Sequence, residues 1–312
     1  MISAAHKPSY LRLTRTGELV RRVDAARALL SPCRVCPREC GIDRLHGEIG
    51  YCRSGPLPRI SSFGPHFGEE PPLVGTHGSG TIFFSSCNMR CVFCQNYAIS
   101  QERQGTEVSC DDLAGIMIRL RDLGCHNINF VSPTHFVPQV LESVLLAAEK
   151  GLDIPLVYNT GTYDSVVALK LLEGVFDIYM PDAKYGSDEV AFSLSDAPGY
   201  VTVMKEAIGE MQRQVGDLRM EKGIAVKGLL VRHLVLPHNL AGSKEVFRFI
   251  AEEVSPDAYV NVMDQYRPCG RIVGDLRHPH HRSLMRGITR SEYREAVSAA
   301  RSYGLHRGFP LF

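Results

Sequence analysis

The sequence has no tryptophan, few aromatics (8%) and almost no imbalance of charge, with 35 Lys and Arg against 34 Asp and Glu. A net charge of +1 provides no electrostatic pull toward nucleic acid or an anionic membrane surface. No apolar run approaches the roughly 20 residues of a membrane-spanning helix. The opening "MISAAHKPSYLRLTR" has neither an apolar stretch nor a small-residue cleavage pattern, so a cytoplasmic chain is expected. Its 312 residues, 44% hydrophobic, are enough for one large or two small soluble domains.

Cysteine, by contrast, is plentiful. In a reducing compartment the ten cysteines are not expected to pair as disulfides. Seven of the ten fall into two tight sets: Cys33, Cys36, Cys40 and Cys52, then Cys87, Cys91 and Cys94. Cysteines two or three residues apart bridge poorly and chelate well.

From about residue 81 short apolar segments alternate with helical ones. Strands are expected at 81–86, 127–132, 155–160, 176–181, 228–237 and 258–265. Helices are expected at 110–124, 137–151, 163–173, within 187–215, at 243–254, and from the capping box "TRSE" (289–292) to about 304. This alternation predicts an α/β fold of parallel strands with right-handed crossovers. Six units are too few for a closed eight-stranded barrel, so a partial (β/α)6 barrel is expected over residues 76–312. Residues 1–75, rich in Cys, Pro and Arg with few strand signals, read as a Cys-rich N-terminal extension carrying a metal or cluster site. In such folds the chemistry gathers at the carboxyl ends of the strands.

Cys87, Cys91 and Cys94 form C-x3-C-x2-C directly after the first of these strands. Three thiolates leave one corner of a four-iron cluster without a protein ligand, and an open position is what a catalytic centre needs. The plain alternative is zinc with a distant fourth ligand. Cys33, Cys36, Cys40 and Cys52 instead supply four thiolates, enough to close a structural or auxiliary site. Zinc, an iron–sulfur cluster and free thiols all remain open for that set.

The C-x3-C-x2-C motif with Phe93 before its last cysteine resembles the radical S-adenosylmethionine (radical SAM) superfamily. The stretch "GTIFFSSCNMRCVFCQNYAISQ" (80–101) resembles its pyruvate formate-lyase activating-enzyme-like branch. The resemblance runs from about Cys33 to Arg267. It implies a [4Fe-4S] cluster on Cys87, Cys91 and Cys94, with S-adenosylmethionine (SAM) bound to the open iron. It further implies reductive cleavage to a 5′-deoxyadenosyl radical, driven by an external electron donor such as flavodoxin or ferredoxin. Where relatives bind the SAM amino group with Gly-Gly-Glu, this chain has "FVSPTH", which offers Ser132, Thr134 and His135. "EEPP" (69–72) looks similar but precedes the cluster and is rejected for that role. At the third and fourth strand ends the resemblance implicates Asn159, Thr160, the Met180 carbonyl, Asp182 and Lys184. These would hold a monovalent cation and the SAM carboxylate, with an ordinary Asp182–Lys184 ion pair as the bland alternative. Arg232, rather than its strand neighbour His233, is expected to face the site, since adjacent strand residues point to opposite faces. Tyr266 stands where relatives carry a histidine near SAM, and Gln265 or Tyr266 could cover the adenosine. "RHPHH" (277–281) reads as a solvated loop.

The function expected is that of a radical SAM oxidoreductase, with activation of a glycyl-radical enzyme as the most specific version. Modification of another peptide, RNA or a small molecule is the alternative. A non-catalytic zinc or iron–sulfur protein is the reading from a different class. Only Cys269 follows the barrel, and no D-x-H-x-x-G cobalamin signature occurs.

Overall fold

The computed structural model describes residues 7–309. The strands of these residues are β1 (Arg59–His66), β2 (Ser79–Phe84), β3 (Thr106–Glu107), β4 (Ile128–Val131) and β5 (Leu156–Thr160), followed by β6 (Ile178–Pro181), β7 (Arg219–Glu221), β8 (Ile224–Leu234) and β9 (Tyr259–Met263). They form one sheet in the order β3-β1-β2-β4-β5-β6-β8-β7, with β9 also paired to β8. The run β2-β4-β5-β6-β8-β9 is parallel throughout. These are the six strands the alternating pattern predicts, and they form an open, partial barrel.

The register sorts the side chains into rows. Ile82, Phe130, Tyr158 and Tyr179 are cross-strand partners in one row. All four are fully buried, with Phe176 edge-on to Phe130 and Tyr158. Residues one step away lie on the opposite face, because side chains alternate along a strand. That inner face carries Val157, Ile178, Met180 and Leu230, which pack with Leu73, Leu218 and Ala225 as a second apolar cluster. Leu73 comes from the short helix Pro71–Val74, which is held in place by Asn127 Nδ2 donating to the Leu73 carbonyl.

Three features escape the sequence pattern. β1 lies inside the cysteine-rich stretch yet pairs antiparallel with β2. Helices Tyr10–Arg15 and Glu18–Ala28 pack on the outside of the barrel, where the Tyr10 hydroxyl donates to the Ile154 carbonyl at 3.0 Å. β7 pairs antiparallel with the start of β8 as a short hairpin. The expected helices are present, including Cys110–Asp122 with a Ser109 capping box and Arg290–Ser302 with the Thr289–Glu292 box.

Candidate active site

A cavity of about 260 Å³ opens at the carboxyl ends of the parallel strands. Cys87, Cys91, Cys94 and Phe93 line it, together with Ser132, Thr134, Asn159, Thr160, Asp182, Lys184 and Arg232. These residues come from the ends of five strands or the loops that follow them, so the fold gathers what the sequence scatters.

The cysteine loop follows β2 and is fixed by its backbone. Arg90 N–H and Val92 N–H donate to the carbonyls of Ser195 and Leu194, at 2.9 and 2.8 Å. On the other side the Ile272 N–H donates to the Val92 carbonyl at 2.8 Å. Gly270, with φ +65°, makes that approach possible, because a Cβ there would meet the Val92 carbonyl at 2.9 Å. The thiols have hydroxyl neighbours: Ser195 Oγ donates to Cys91 Sγ at 3.0 Å, and Ser100 Oγ lies 3.2 Å from Cys94 Sγ. Burial, with Cys91 alongside, pushes the Cys87 thiol up to about 12. These thiols therefore ionise when a metal takes the place of their protons.

The barrel rim also stores backbone strain. Ser86, Ser132 and Thr162, which follow β2, β4 and β5, adopt left-handed φ values of 73°, 58° and 61°. Non-glycine residues hold such angles only where the surroundings impose them, and they concentrate at functional sites.

Electrostatically the cavity is organised around Asp182. Lys184 Nζ lies 2.5 Å from one carboxylate oxygen and Arg232 Nε lies 2.7 Å from the other. Burial pushes the Asp182 carboxyl up, but Arg232 and then Lys184 outweigh it and hold it below the usual carboxylate range. Burial alone would lower Lys184, and the Asp182 and Cys91 charges reverse this and raise it. Arg232 spends its remaining donors elsewhere: Nη2 donates to Asn159 Oδ1 at 2.7 Å, and Nη1 lies 3.7 Å from Glu70 and 4.0 Å from Glu69. Its guanidinium is thus taken by the protein. Lys184 has Asp182 as its partner and keeps other N–H donors for a ligand.

Several expectations change on this geometry. The hydroxyls of Thr134 and Thr160 donate to the buried Asp164, at 2.7 and 2.6 Å, as does that of Tyr158. They fix the two strand ends to one another, so their side chains are positioning groups. With Asn159 Oδ1 accepting from Arg232, each of these three oxygens already has a protein partner. Tyr266 leaves the cavity. Its ring packs edge-on to Phe93 at 5.8 Å, its hydroxyl donates to the Leu284 carbonyl, and Gln265 takes its place in the lining. The His135 ring is buried toward the Ser85 carbonyl, and burial lowers it to about 3. His233 is buried between the Ala183 carbonyl and Ser243 Oγ. His278 and His281 turn to the carbonyls of Ser193 and Ile272. Glu69 and Glu70, set aside because they precede the cysteines, end beside Arg232, where Glu70 also accepts from Asn261 on β9. Asp164 and Ser195 were missed altogether. An acid four residues past Thr160 in a strand-end loop was a usable signal for the first, and nothing local marks the second.

The described residues contain no three His, Cys, Asp or Glu side chains gathered tightly enough to share one metal ion. The donor set nonetheless fits an iron–sulfur cluster: three thiols face one cavity, and a polynuclear cluster spreads its ligands more widely than a single ion does.

A family model described as the Radical SAM superfamily matches residues 81–250, more than half of the chain. The chain belongs to the radical SAM superfamily. Two proteins of Methanocaldococcus jannaschii are similar in sequence. "Uncharacterized protein MJ0674" is 31% identical over 294 residues, covering 91% of this chain and 78% of that protein. "Uncharacterized protein MJ0808" is 25% identical over 137 residues, 38% of this chain and 40% of that protein. Among solved structures, HydG, a maturase of the [FeFe]-hydrogenase, aligns with TM-score 0.47 at 12% identity, over 74% of this chain and 50% of that one. The anSMEcpe structure with bound AdoMet aligns with TM-score 0.46 at 13% identity, over 70% and 55%. The chain therefore spans about half the length of these structures. Radical SAM membership carries a [4Fe-4S] cluster, SAM and an external reductant with it. No helix among the described residues is long and apolar enough to cross a membrane.

Proposed function

We propose that Cys87, Cys91 and Cys94 hold the [4Fe-4S] cluster, that Lys184 receives the SAM carboxylate, and that the enzyme abstracts a hydrogen atom from a backbone glycine of a partner glycyl-radical enzyme. The observation that carries the site assignment is the single cavity containing all three thiols and an ammonium with donors to spare. When bound, the cluster and SAM supply the radical chemistry. The chain's own residues do the rest. Asp182 holds Lys184 charged and in place, while Asn159, Glu69 and Glu70 keep Arg232 from competing for the ligand. Asp164 locks the ends of β4 and β5 through Thr134 and Thr160, and Phe93 offers an apolar wall. Ser132, at the strained end of β4, lines the same cavity.

The open sheet supports a polymeric substrate. β1 and β9 are not paired to one another, so the barrel has a side gap. The segment carrying Glu70 bridges the lower part of that gap to Asn261. Above it the cavity reaches from Phe84 and Ile99 on one rim to Met263 and Gln265 on the other. A peptide loop enters such a gap without unfolding the barrel. The near-neutral charge favours a peptide over RNA, whose phosphates call for a basic surface.

Two measurements test this reading. In Lys184→Ala, SAM affinity is expected to fall about tenfold or more, since a charge-assisted hydrogen bond is worth about 1.5–3 kcal/mol. The comparison uses protein of equal iron content, and equal affinities would return Lys184 to a purely structural ion pair. For the substrate, an anaerobic mixture with a candidate glycyl-radical enzyme, SAM and reductant should develop a protein-centred radical signal on the partner. SAM cleavage without that signal would move the substrate to another peptide or a small molecule.

A further inference from the structure

We propose that residues 267–286 form the docking surface for an acidic one-electron carrier protein, which passes its electron inward across Gly270 to the cysteine loop. The proposal rests on the radical SAM reading above, which calls for an external reductant, and assigns that reductant a place on this chain.

The chain is nearly neutral, but its charge is not spread evenly. Residues 267–286 hold five arginines and one acid, Asp275, so this segment has a formal charge of +4 where the whole chain has +1. Arg271 pairs with Asp275 at 2.9 Å and Arg286 with Glu292 at 2.7 Å. Arg267, Arg277 and Arg282 are exposed and have no ion-pair partner among the described residues. Apolar side chains stand between them. Val273 and Met285 are exposed, and Leu276, 76% exposed, is the most exposed large hydrophobic side chain of the described residues. Exposed apolar groups set among arginines mark an interaction surface. Arg271, Leu276 and Arg277 share one open surface hollow of about 660 Å³ with Gly270, Gly274 and Asp275.

The floor of that hollow is the cysteine loop. Gly270 lines the hollow, and a Cβ on it would lie 2.9 Å from the Val92 carbonyl oxygen and 3.1 Å from the Cys94 nitrogen. Cys269 Sγ donates to the Phe93 carbonyl at 3.1 Å, and the Ile272 N–H to the Val92 carbonyl at 2.8 Å. One residue therefore separates the hollow from the backbone of Cys94. The segment is braced from behind, with His281 Nδ1 lying 3.0 Å from the Ile272 carbonyl and His278 Nε2 lying 3.1 Å from that of Ser193. The residues lining the SAM cavity end at Gln265, so the hollow and the cavity use different faces of the cysteine loop.

These features select the occupant. A basic surface attracts an acidic partner, and closeness to the thiols gives an electron a short route. Electron-transfer encounters are small, below about 1,200 Å² of buried surface, which one loop can supply. Nucleic acid fits less well, because the segment has no Phe, Tyr or Trp to stack on bases. The step balances as a single electron transfer: the carrier is oxidised by one electron and the cluster on Cys87, Cys91 and Cys94 is reduced by one.

The test uses the full chain, reconstituted without oxygen, with flavodoxin as the probe. Binding of flavodoxin to the parent is measured by titration and should weaken as salt rises through about 0.1 M, where screening sets in within about 10 Å. Arg267/Arg277/Arg282→Glu should bind flavodoxin at least about tenfold more weakly, the lower end of what electrostatic steering contributes. Flavodoxin-driven release of 5′-deoxyadenosine should fall with it, while dithionite-driven release keeps the parent rate and shows that fold and cluster are intact. Arg12/Arg15/Arg27→Glu makes the same change in net charge on the two N-terminal helices and should alter neither. The proposal is overturned if the parent does not bind flavodoxin, if the Arg267/Arg277/Arg282→Glu variant binds it as the parent does, or if both variants lose equally. It is overturned too if a single-stranded RNA binds the parent more tightly than flavodoxin and is lost in the same variant. A parent that cleaves no SAM with dithionite sinks the radical SAM reading instead, since the binding titration needs no turnover.

Discussion

Replacing Cys91 with alanine is expected to cut 5′-deoxyadenosine release from SAM by at least about a hundredfold, more than the 10–100-fold that loss of a supporting group costs at metal centres. Cys91 sits between its partners in the C-x3-C-x2-C loop and receives a hydrogen bond from Ser195 at 3.0 Å. The loop's backbone bonds to Leu194, Ser195 and Ile272 do not involve the thiol. The variant should therefore fold normally, as judged by its far-UV circular dichroism. It should lose the iron bound at this site and with it the chemistry. Normal turnover in a variant with the same fold would mean that these thiols do not carry the reaction.

Asp182→Asn is expected to destabilise the protein by about 3–5 kcal/mol, because it leaves two buried cations facing an uncharged amide. The Asp182 side chain is 14% exposed and pairs with both Lys184 and Arg232. Denaturant unfolding of the iron-free protein measures the loss free of any cofactor contribution. The pH dependence has a definite sign. Asp182 is held below its ordinary value, so its contribution is fully present above the unfolded pKa of about 4 and disappears as pH falls through the lower folded value. The parent should lose stability below about pH 4, and Asp182→Asn should lose less there. An Asn variant as stable as the parent at neutral pH would show that the triad contributes nothing to the fold.

The sequence revealed the barrel because its signals are local. Parallel strands buried on both faces read as short apolar runs, and the helix starts at Ser109 and Thr289 carry their own caps. β1 was hidden because "RISSFGPH" is a half-exposed strand with a glycine and a proline, flanked on its outer side only by the two-residue β3, and its pairing with β2 is a tertiary event. The cysteines were legible as ligands because spacing is a sequence property. Which polar groups remain free for a ligand was not. Thr134 and Thr160 stand at the correct strand ends, yet their hydroxyls belong to Asp164, a pairing fixed by three-dimensional packing. Tyr266 follows β9 as expected, but the chain turns so that Gln265 faces inward. Glu69 and Glu70 mislead most: a residue that precedes the cluster in sequence lies beside Arg232 once β1 folds back along β2.

The most direct test of the central claim is the EPR spectrum of the reduced, iron-loaded protein before and after SAM is added, followed by product analysis of the same sample. SAM binding at the cluster held by Cys87, Cys91 and Cys94 predicts a changed spectrum and the appearance of 5′-deoxyadenosine and methionine in equal amounts. A fully loaded cluster whose spectrum ignores SAM, with SAM recovered intact, would contradict it.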